Sequence, residues 1–359
     1  MLRVDDNATL HSVAGTGVPG YDGNGVLANT SRLIGPLAVT ASRNGSLVFM
    51  YVNAPIRLVT KSLIWDVVGN GSHGYSGDGG DALLATMSAA YGLAYHEESD
   101  TLYFSDLMHH AVRARRSNGL LERVAGQVGV AGMTVLGEKA DTTFLNYPVG
   151  LHVTTSGDLY IANVLDSSVL RIDAAKRIYL VAGSGSELRD GAPMTNSTVG
   201  PNHVVSYVSR TGQLFVSDGI RYLIRIGTNN SGMLTIAGGG TDIVNEDVPA
   251  TTARLSINLA LAVDDIGATV WFSDMERNRT RFLYRPGMSV HSWTNAIDNT
   301  SAQALVTMST WGTPLENTVC LADASQAAPF GDQAVSAGFR AYAATTQSGR
   351  VTVLCTGQT

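Results

Sequence analysis

The residues best suited to chemistry in this chain are eight histidines, two cysteines and a set of carboxylates in glycine-rich loops. His152 and His203 fall in corresponding apolar stretches of neighbouring sequence units, while His96 and the pair His109-His110 lie elsewhere. A catalytic zinc takes about three protein ligands and keeps one position open. Two placed histidines fall short of that, so a metal-dependent lyase or hydrolase stands as an alternative reading. The loops GYSGDGGD, with Asp78 and Asp81, and GYDGNG, with Asp22 and Asn24, offer oxygens for calcium. Calcium wants six to eight oxygens, and these loops supply part of such a set. Tight turns in which glycine adopts positive φ explain the same composition. No G-x-S-x-G elbow, H-E-x-x-H pair or phosphate-binding loop occurs. The expectation is a chain without catalytic residues or a resident cofactor, bound calcium or zinc being the alternative.

Asparagine carries a second kind of chemistry. Asn-x-Ser/Thr acceptors lie at Asn7, Asn29, Asn44, Asn70, Asn196, Asn229, Asn278 and Asn299. So many acceptors predict an N-glycosylated, extracellular protein, the ectodomain of a longer precursor. None lies between Asn70 and Asn196. A glycan excludes protein contacts, so that interval predicts a partner surface centred on Tyr75, His109, His110, Arg113, Arg115 and Arg116. Arginine and tyrosine are favoured at interfaces. The expected partner is another protein, itself a membrane protein or ectodomain.

Composition narrows the classes. Only 15% of residues are charged, 44% are hydrophobic and 39 are glycine. That profile suits short strands and tight turns and excludes wholesale disorder. A net charge of -6 argues against nucleic acid and anionic membranes. No apolar run reaches the roughly 18 residues of a membrane helix, so direct insertion by this chain is not expected.

These residues sit on a repeat. An apolar-apolar-Gly ending recurs at Gly15, Gly69, Gly126, Gly183 and Gly238, in steps of 54, 57, 57 and 55 residues. Each interval then runs through a glycine-rich loop, an apolar strand such as YGLAYH, a turn, and a strand ending in an acid or amide, such as TLYFSD or DLYIAN. An Arg-bearing strand (IRLV, AVRAR, VLRID, LIRIG) and a fourth strand follow. Four short strands per unit, joined by Gly/Asn turns, is the pattern of a propeller blade. A single blade cannot bury both faces of its sheet, so the units must pack in a ring. The repeated acid or amide (Asn53, Asp106, Asn163, Asp218, Asp274, Asp323) reads as a turn-building residue that accepts backbone N–H bonds in the loop that follows it.

The stretch VVGNGSHGYSGDGGDALLATMSAAYGLAYHEESDTLYFSDLMHHAVRARR (67–116) resembles the NHL repeat, whose family builds six-bladed propellers. It departs at the name-giving Asn-His-Leu tripeptide, where the chain has His109-His110-Ala111, Ser167-Ser168-Val169 and Asn278-Arg279-Thr280. The resemblance implies an all-β, six-bladed propeller of four-stranded antiparallel blades, one domain over 1–359. The expected blades are 33–69, 90–126, 147–183, 200–238, 255–295 and 304–357. The N-terminal strand 9–15 would close the ring by joining the last blade. With its many acceptors the chain also resembles the flagellum-adhesion glycoproteins of trypanosomes, which implies a cell-adhesion ectodomain. An extracellular, non-enzymatic protein-binding module is the main expectation, and an intracellular scaffold is the other alternative.

Cys320 and Cys355 are the two cysteines. If they lie on the second and fourth strands of the last unit, about 9–10 Å separates them, beyond disulfide reach. A bridge requires the last strand to pair elsewhere, and both outcomes stay open.

Overall fold

The structure is a computed structural model. It describes residues 1–4, 10–42, 45–51, 55–88, 90–228, 230–241, 248–255, 260–263, 269–274, 279–284, 289–292, 340–345 and 351–356. The repeat forms five blades, each a sheet whose four core strands follow chain order. Blade 1 comprises Ala38–Ala41, Leu47–Met50, Ile56–Thr60 and Leu63–Val68, with Val26–Leu27 added at its outer edge. Blade 2 comprises Ala90–His96, Thr101–Asp106, Ala111–Arg115 and Leu121–Ala125. Blade 3 comprises Pro148–Val153, Leu159–Asn163, Ser168–Ile172 and Ile178–Gly183. Blade 4 comprises Asn202–Val208, Gln213–Asp218, Leu223–Thr228 and Gly232–Gly238. Blade 5 comprises Leu261–Val263, Thr269–Asp274, Arg279–Tyr284 and Ser289–Ser292, with Val248–Pro249 at its outer edge.

The second strand of blades 1 to 3 is buried along its whole length. Neighbouring blades cover both of its faces, which explains its near-continuous apolar run. The core lies between blades. One cluster joins Tyr103, Val112 and Ala114 of blade 2 to Leu151, Ile161 and Leu170 of blade 3. A second joins Tyr160 and Val169 of blade 3 to Val205, Leu214 and Val216 of blade 4.

The glycine that ends each unit has a physical reason. Gly126, Gly183 and Gly238 have φ of 86°, 88° and 89°, in the left-handed region. A Cβ on each would lie 2.1 Å from the carbonyl oxygen of His110, Ser167 or Tyr222. Those three residues occupy matching positions after the second strand and themselves have positive φ.

One expectation about the ring changes. The described residues contain five blades rather than six. Within the expected sixth unit, 304–357, they form a two-stranded hairpin, Arg340–Thr345 with Val351–Thr356. That unit, like blade 5, lacks the apolar-apolar-Gly ending of blades 1 to 4. The first hairpin strand lies beside the inner strands Ala38–Ala41 of blade 1 and Leu261–Val263 of blade 5. The N-terminal strand Leu10–Ser12 pairs with Leu2–Val4, which lies beside Val351–Thr356 of that hairpin.

Candidate functional site

The surface expected from the glycan-free interval divides into two ends of blade 2. Tyr75, His109, His110 and Arg113 gather at one end. Arg115 and Arg116 lie toward the other, about 17 and 20 Å from His110 at roughly 3.3 Å per residue.

Arg113 is fully buried. Its Nε donates to Asp78 Oδ1 at 3.0 Å, its Nη1 to the Thr86 carbonyl at 2.8 Å and its Nη2 to the Ser76 carbonyl at 2.6 Å. The guanidinium lies 4.2 Å from the Tyr75 ring centroid, and the Tyr75 hydroxyl donates to Asp78 Oδ2 at 2.7 Å. Burial and the Asp78 carboxylate push the Tyr75 hydroxyl well above its usual range. Arg113 therefore fastens the glycine-rich loop to its blade and presents no surface to a partner. Arg57 and Arg225, both fully buried, repeat the device. Arg57 donates to the Gly23 carbonyl, pairs with Asp66 at 2.9 Å and lies 4.6 Å from the Tyr21 ring centroid. Arg225 donates to the Thr198 carbonyl at 2.7 Å.

His109 packs edge-on against Tyr75, ring centroids 5.2 Å apart, and its Nδ1 lies 2.7 Å from Asp106 Oδ1. Burial pushes the Asp106 carboxyl above the usual carboxylate range, against the pull of His109 and Arg113. His110 is buried, and its Nδ1 accepts from Tyr147 N at 3.3 Å. Burial, then the neighbouring His109, lowers its pKa. Arg116 pairs with Glu122 at 2.7 Å, and Glu122 also meets Lys176 of blade 3 at 2.9 Å. Arg116 holds Glu122 below the usual carboxylate range. Arg115 is half-buried.

The repeated acid or amide works largely in the opposite direction from the expected one. Asp106 Oδ1 accepts from Ser88 N at 3.4 Å and Asn163 Oδ1 from Asn146 N at 2.7 Å, both in the preceding inter-blade loop. Of these three only Asp218 accepts a backbone N–H from the loop that follows, from Arg221 N at 3.0 Å, while Asp106 meets that loop through the His109 side chain. In blade 1 the matching register position is Tyr51, not Asn53. Asn53 and Asp323 lie outside the described residues. Burial pushes the Tyr51 hydroxyl up to about 12.

The loop oxygens proposed for calcium are engaged locally. Asp81 caps the turn Ala82–Leu84 by accepting from Leu83 N, Asp22 pairs with Arg32, and Asn24 accepts from Asp66 N. Among the described residues no three His, Cys, Asp or Glu side chains converge as metal ligands would. His152 is half-buried, and burial pushes it down to about 4. His203 lies in the inner strand of blade 4, and its side chain is outside the described residues. The Cys320–Cys355 question also falls outside them. Among the described glycan acceptors, Asn29, Asn70 and Asn196 are exposed. Asn7, Asn44, Asn229, Asn278 and Asn299 lie outside.

Sequence reasoning missed the exposed apolar residues. The short turn on the outer rim before each blade is Ala28–Thr30, Ala82–Leu84 and Met194–Asn196 in three units. In two of them it carries an exposed glycan acceptor, Asn29 or Asn196. In the unit before blade 2 it carries Leu83 and Leu84, the latter 71% exposed. On the rim of blade 3, Met133 is 84% exposed beside Val135 and Leu136. The signal was present in MTVL, where the loops before blades 1 and 2 have GYDGNG and GYSGDGG. Blade 3 also lacks the arginine, since Leu170 stands at the position of Arg113, whereas blades 4 and 5 keep Arg225 and Arg281 without that loop motif.

No family model matches the sequence, and no curated protein matches it either. Solved structures do. An auxiliary nutrient binding protein from Bacteroides thetaiotaomicron matches with a TM-score of 0.53 and 12% identity, over 81% of this chain and 64% of that one. Virginiamycin B lyase from Staphylococcus aureus matches with a TM-score of 0.45 and 12% identity, over 72% of this chain and 69% of that one. Its inactive variant with quinupristin matches at 0.46 and 14%, over 73% and 70%. The chain is thus a β-propeller of four-stranded antiparallel blades. One expectation is withdrawn here: with an enzyme among the similar structures, a chain without chemistry is not carried forward. Likeness at this identity shows the fold alone and assigns no reaction.

Proposed function

We propose that this propeller is an extracellular protein-binding module, a glycosylated ectodomain of the NHL type. Its partner, another membrane protein or ectodomain, docks on the rim of blades 2 and 3. Cell adhesion of the flagellum-attachment kind is the narrower form of this reading. One observation carries it: the same rim turn bears an exposed glycan acceptor at Asn29 and Asn196 but exposed Leu83 and Leu84 before blade 2. A glycan keeps protein away, whereas exposed apolar side chains mark contact surfaces. This turn and the Met133 loop fall in the acceptor-free interval between Asn70 and Asn196, with Asn70, whose side chain donates to the Leu84 carbonyl at 3.2 Å, at the edge of that surface.

The test is a glycan wedge. Leu84→Asn makes an acceptor with Ala85 and Thr86, aligned with the natural one at Asn196, Ser197 and Thr198. In secreted protein, occupancy at this position should abolish binding to the cell-surface partner identified by cross-linking to the unaltered protein. Removing the natural acceptor with Asn196→Gln should leave binding intact. Full binding by the glycan-bearing Leu84→Asn protein, or native protein without N-glycans by mass spectrometry, would refute the reading.

A further inference from the structure

Blade 3 breaks the repeat at one residue. Each third strand pairs with the second strand in the same register, so Phe49, Phe104 and Phe272 face Arg57, Arg113 and Arg281. In blade 3 the matching pair is Ile161 with Leu170. The arginine comes one residue later, at Arg171, opposite Tyr160 and Tyr179. A shift of one residue turns a side chain to the other face of its sheet. The corresponding positions elsewhere hold Leu58, Ala114, Ile226 and Phe282. Arg171 is therefore a charge where the fold uses apolar packing.

The face it turns to borders a cleft of about 550 Å³ between blades 3 and 4. That volume suits a small ligand. Tyr160 and Tyr207 form a stacked pair with centroids 4.4 Å apart, and Tyr179 lies 5.6 Å from the Arg171 guanidinium. Thr228, Asn230 and Ser231 of the blade 4 hairpin supply polar groups at the cleft. Arg171 is 37% exposed and makes one side-chain ion pair, to Asp158 Oδ2 at 3.4 Å. A guanidinium has five N–H donors in a planar fork, so this one contact leaves donor capacity for a ligand in the cleft that Arg171 lines.

We propose that this cleft binds an acidic sugar, with the carboxylate on Arg171 and the ring against Tyr179 and Tyr207. The planar fork matches a carboxylate in two-point contact. Tyrosines present flat apolar faces with polar tips, suited to a pyranose ring, and the hairpin polar groups suit its hydroxyls. Asp158 beside Arg171 leaves the local charge near zero, which favours a monoanion over a dianionic phosphate. None of Leu83, Leu84, Met133, Val135 and Leu136 lines it.

N-acetylneuraminic acid and glucuronic acid are the probes, with N-acetylglucosamine and inorganic phosphate as comparisons. Protein treated with glycosidase is used, so that attached glycans do not compete. Calorimetry or saturation-transfer NMR should show binding of at least one acidic sugar. Arg171→Leu, which restores the apolar character of the other blades, should weaken it about tenfold or more. Arg171→Lys should also weaken it, because the ammonium lacks the fork, while both variants keep the wild-type melting temperature. Absence of binding by both acidic sugars overturns the proposal. So does equal binding of N-acetylglucosamine or phosphate, or undiminished binding by a folded Arg171→Leu protein.

Discussion

At the residue scale, the molecule uses arginine in two ways that composition does not distinguish. Arg113 is sealed in, with its donors spent on Asp78 and two carbonyls and its face against Tyr75. Arg171 stands partly in water with one loose carboxylate contact. Removing one partner of a buried ionic cluster leaves the others desolvated and unpaired, whereas an exposed pair contributes little. Arg113→Met should therefore lower stability by about 2–4 kcal/mol, somewhat less than a fully buried pair because Asp78 keeps contact with water. Arg113→Lys should recover only part of this, since a point charge lacks the fork that reaches Asp78 and two carbonyls together. Arg171→Leu should cost under about 1 kcal/mol. Urea unfolding of the three variants checks the ranking, and equal losses for Arg113→Met and Arg171→Leu would contradict it.

At the element scale, the inner strands are held by a repeated bond and a repeated absence of bulk. The inner strand carries a bulge between Ala90 and Leu93 in blade 2, and blades 3 and 4 bulge at the matching places. A bulge frees a backbone N–H from the ladder. In blade 2 that donor, Gly92 N, reaches Ser105 Oγ at 2.7 Å. Val204 N reaches Ser217 Oγ at 3.2 Å and Ala260 N reaches Ser273 Oγ at 3.1 Å in blades 4 and 5. Blade 3 has Ala162 at this place, so the serine is a habit of the fold and not an absolute need. Ser105→Ala should cost about 1–3 kcal/mol by leaving a buried donor unpaired. Gly92→Ala should cost more. A Cβ there would lie 2.0 Å from the Val149 carbonyl oxygen on the adjoining inner strand, where neither backbone can yield. Thermal melts give the order, and hydrogen exchange should show the Gly92→Ala loss spreading to 148–153. A neutral Gly92→Ala would mean that the inner strands sit farther apart than the structure places them.

At the scale of the whole molecule, the repeat made the blades readable because each strand carries its own pattern and blades 1 to 4 each end on a glycine with a steric reason. Gly126, Gly183 and Gly238 could be found by period alone. The site was less readable. Arg113 and Arg171 look alike in sequence, and only strand register separates a structural clamp from a cleft residue. Leu83 and Leu84 look like core until the turn that exposes them is placed. The count of six failed because residues 304–357 keep strand-like runs, while their described part is a hairpin. That hairpin still has mechanical consequences. Strand 340–345 lies beside the inner strands of blades 1 and 5, and strand 351–356 beside Leu2–Val4. Blade 1 there holds Ala38 and Val39, both buried. Repeat sheets draw much of their stability from neighbours, so removing residues 340–359 should uncover two inner strands at once. The shortened chain should melt roughly 10 °C lower. Hydrogen exchange should rise first in 38–41 and 261–263 and stay slow in blades 2 to 4, whose neighbours are untouched. An unchanged melting temperature with unchanged exchange at 38–41 would show that blades 1 and 5 stand without the hairpin.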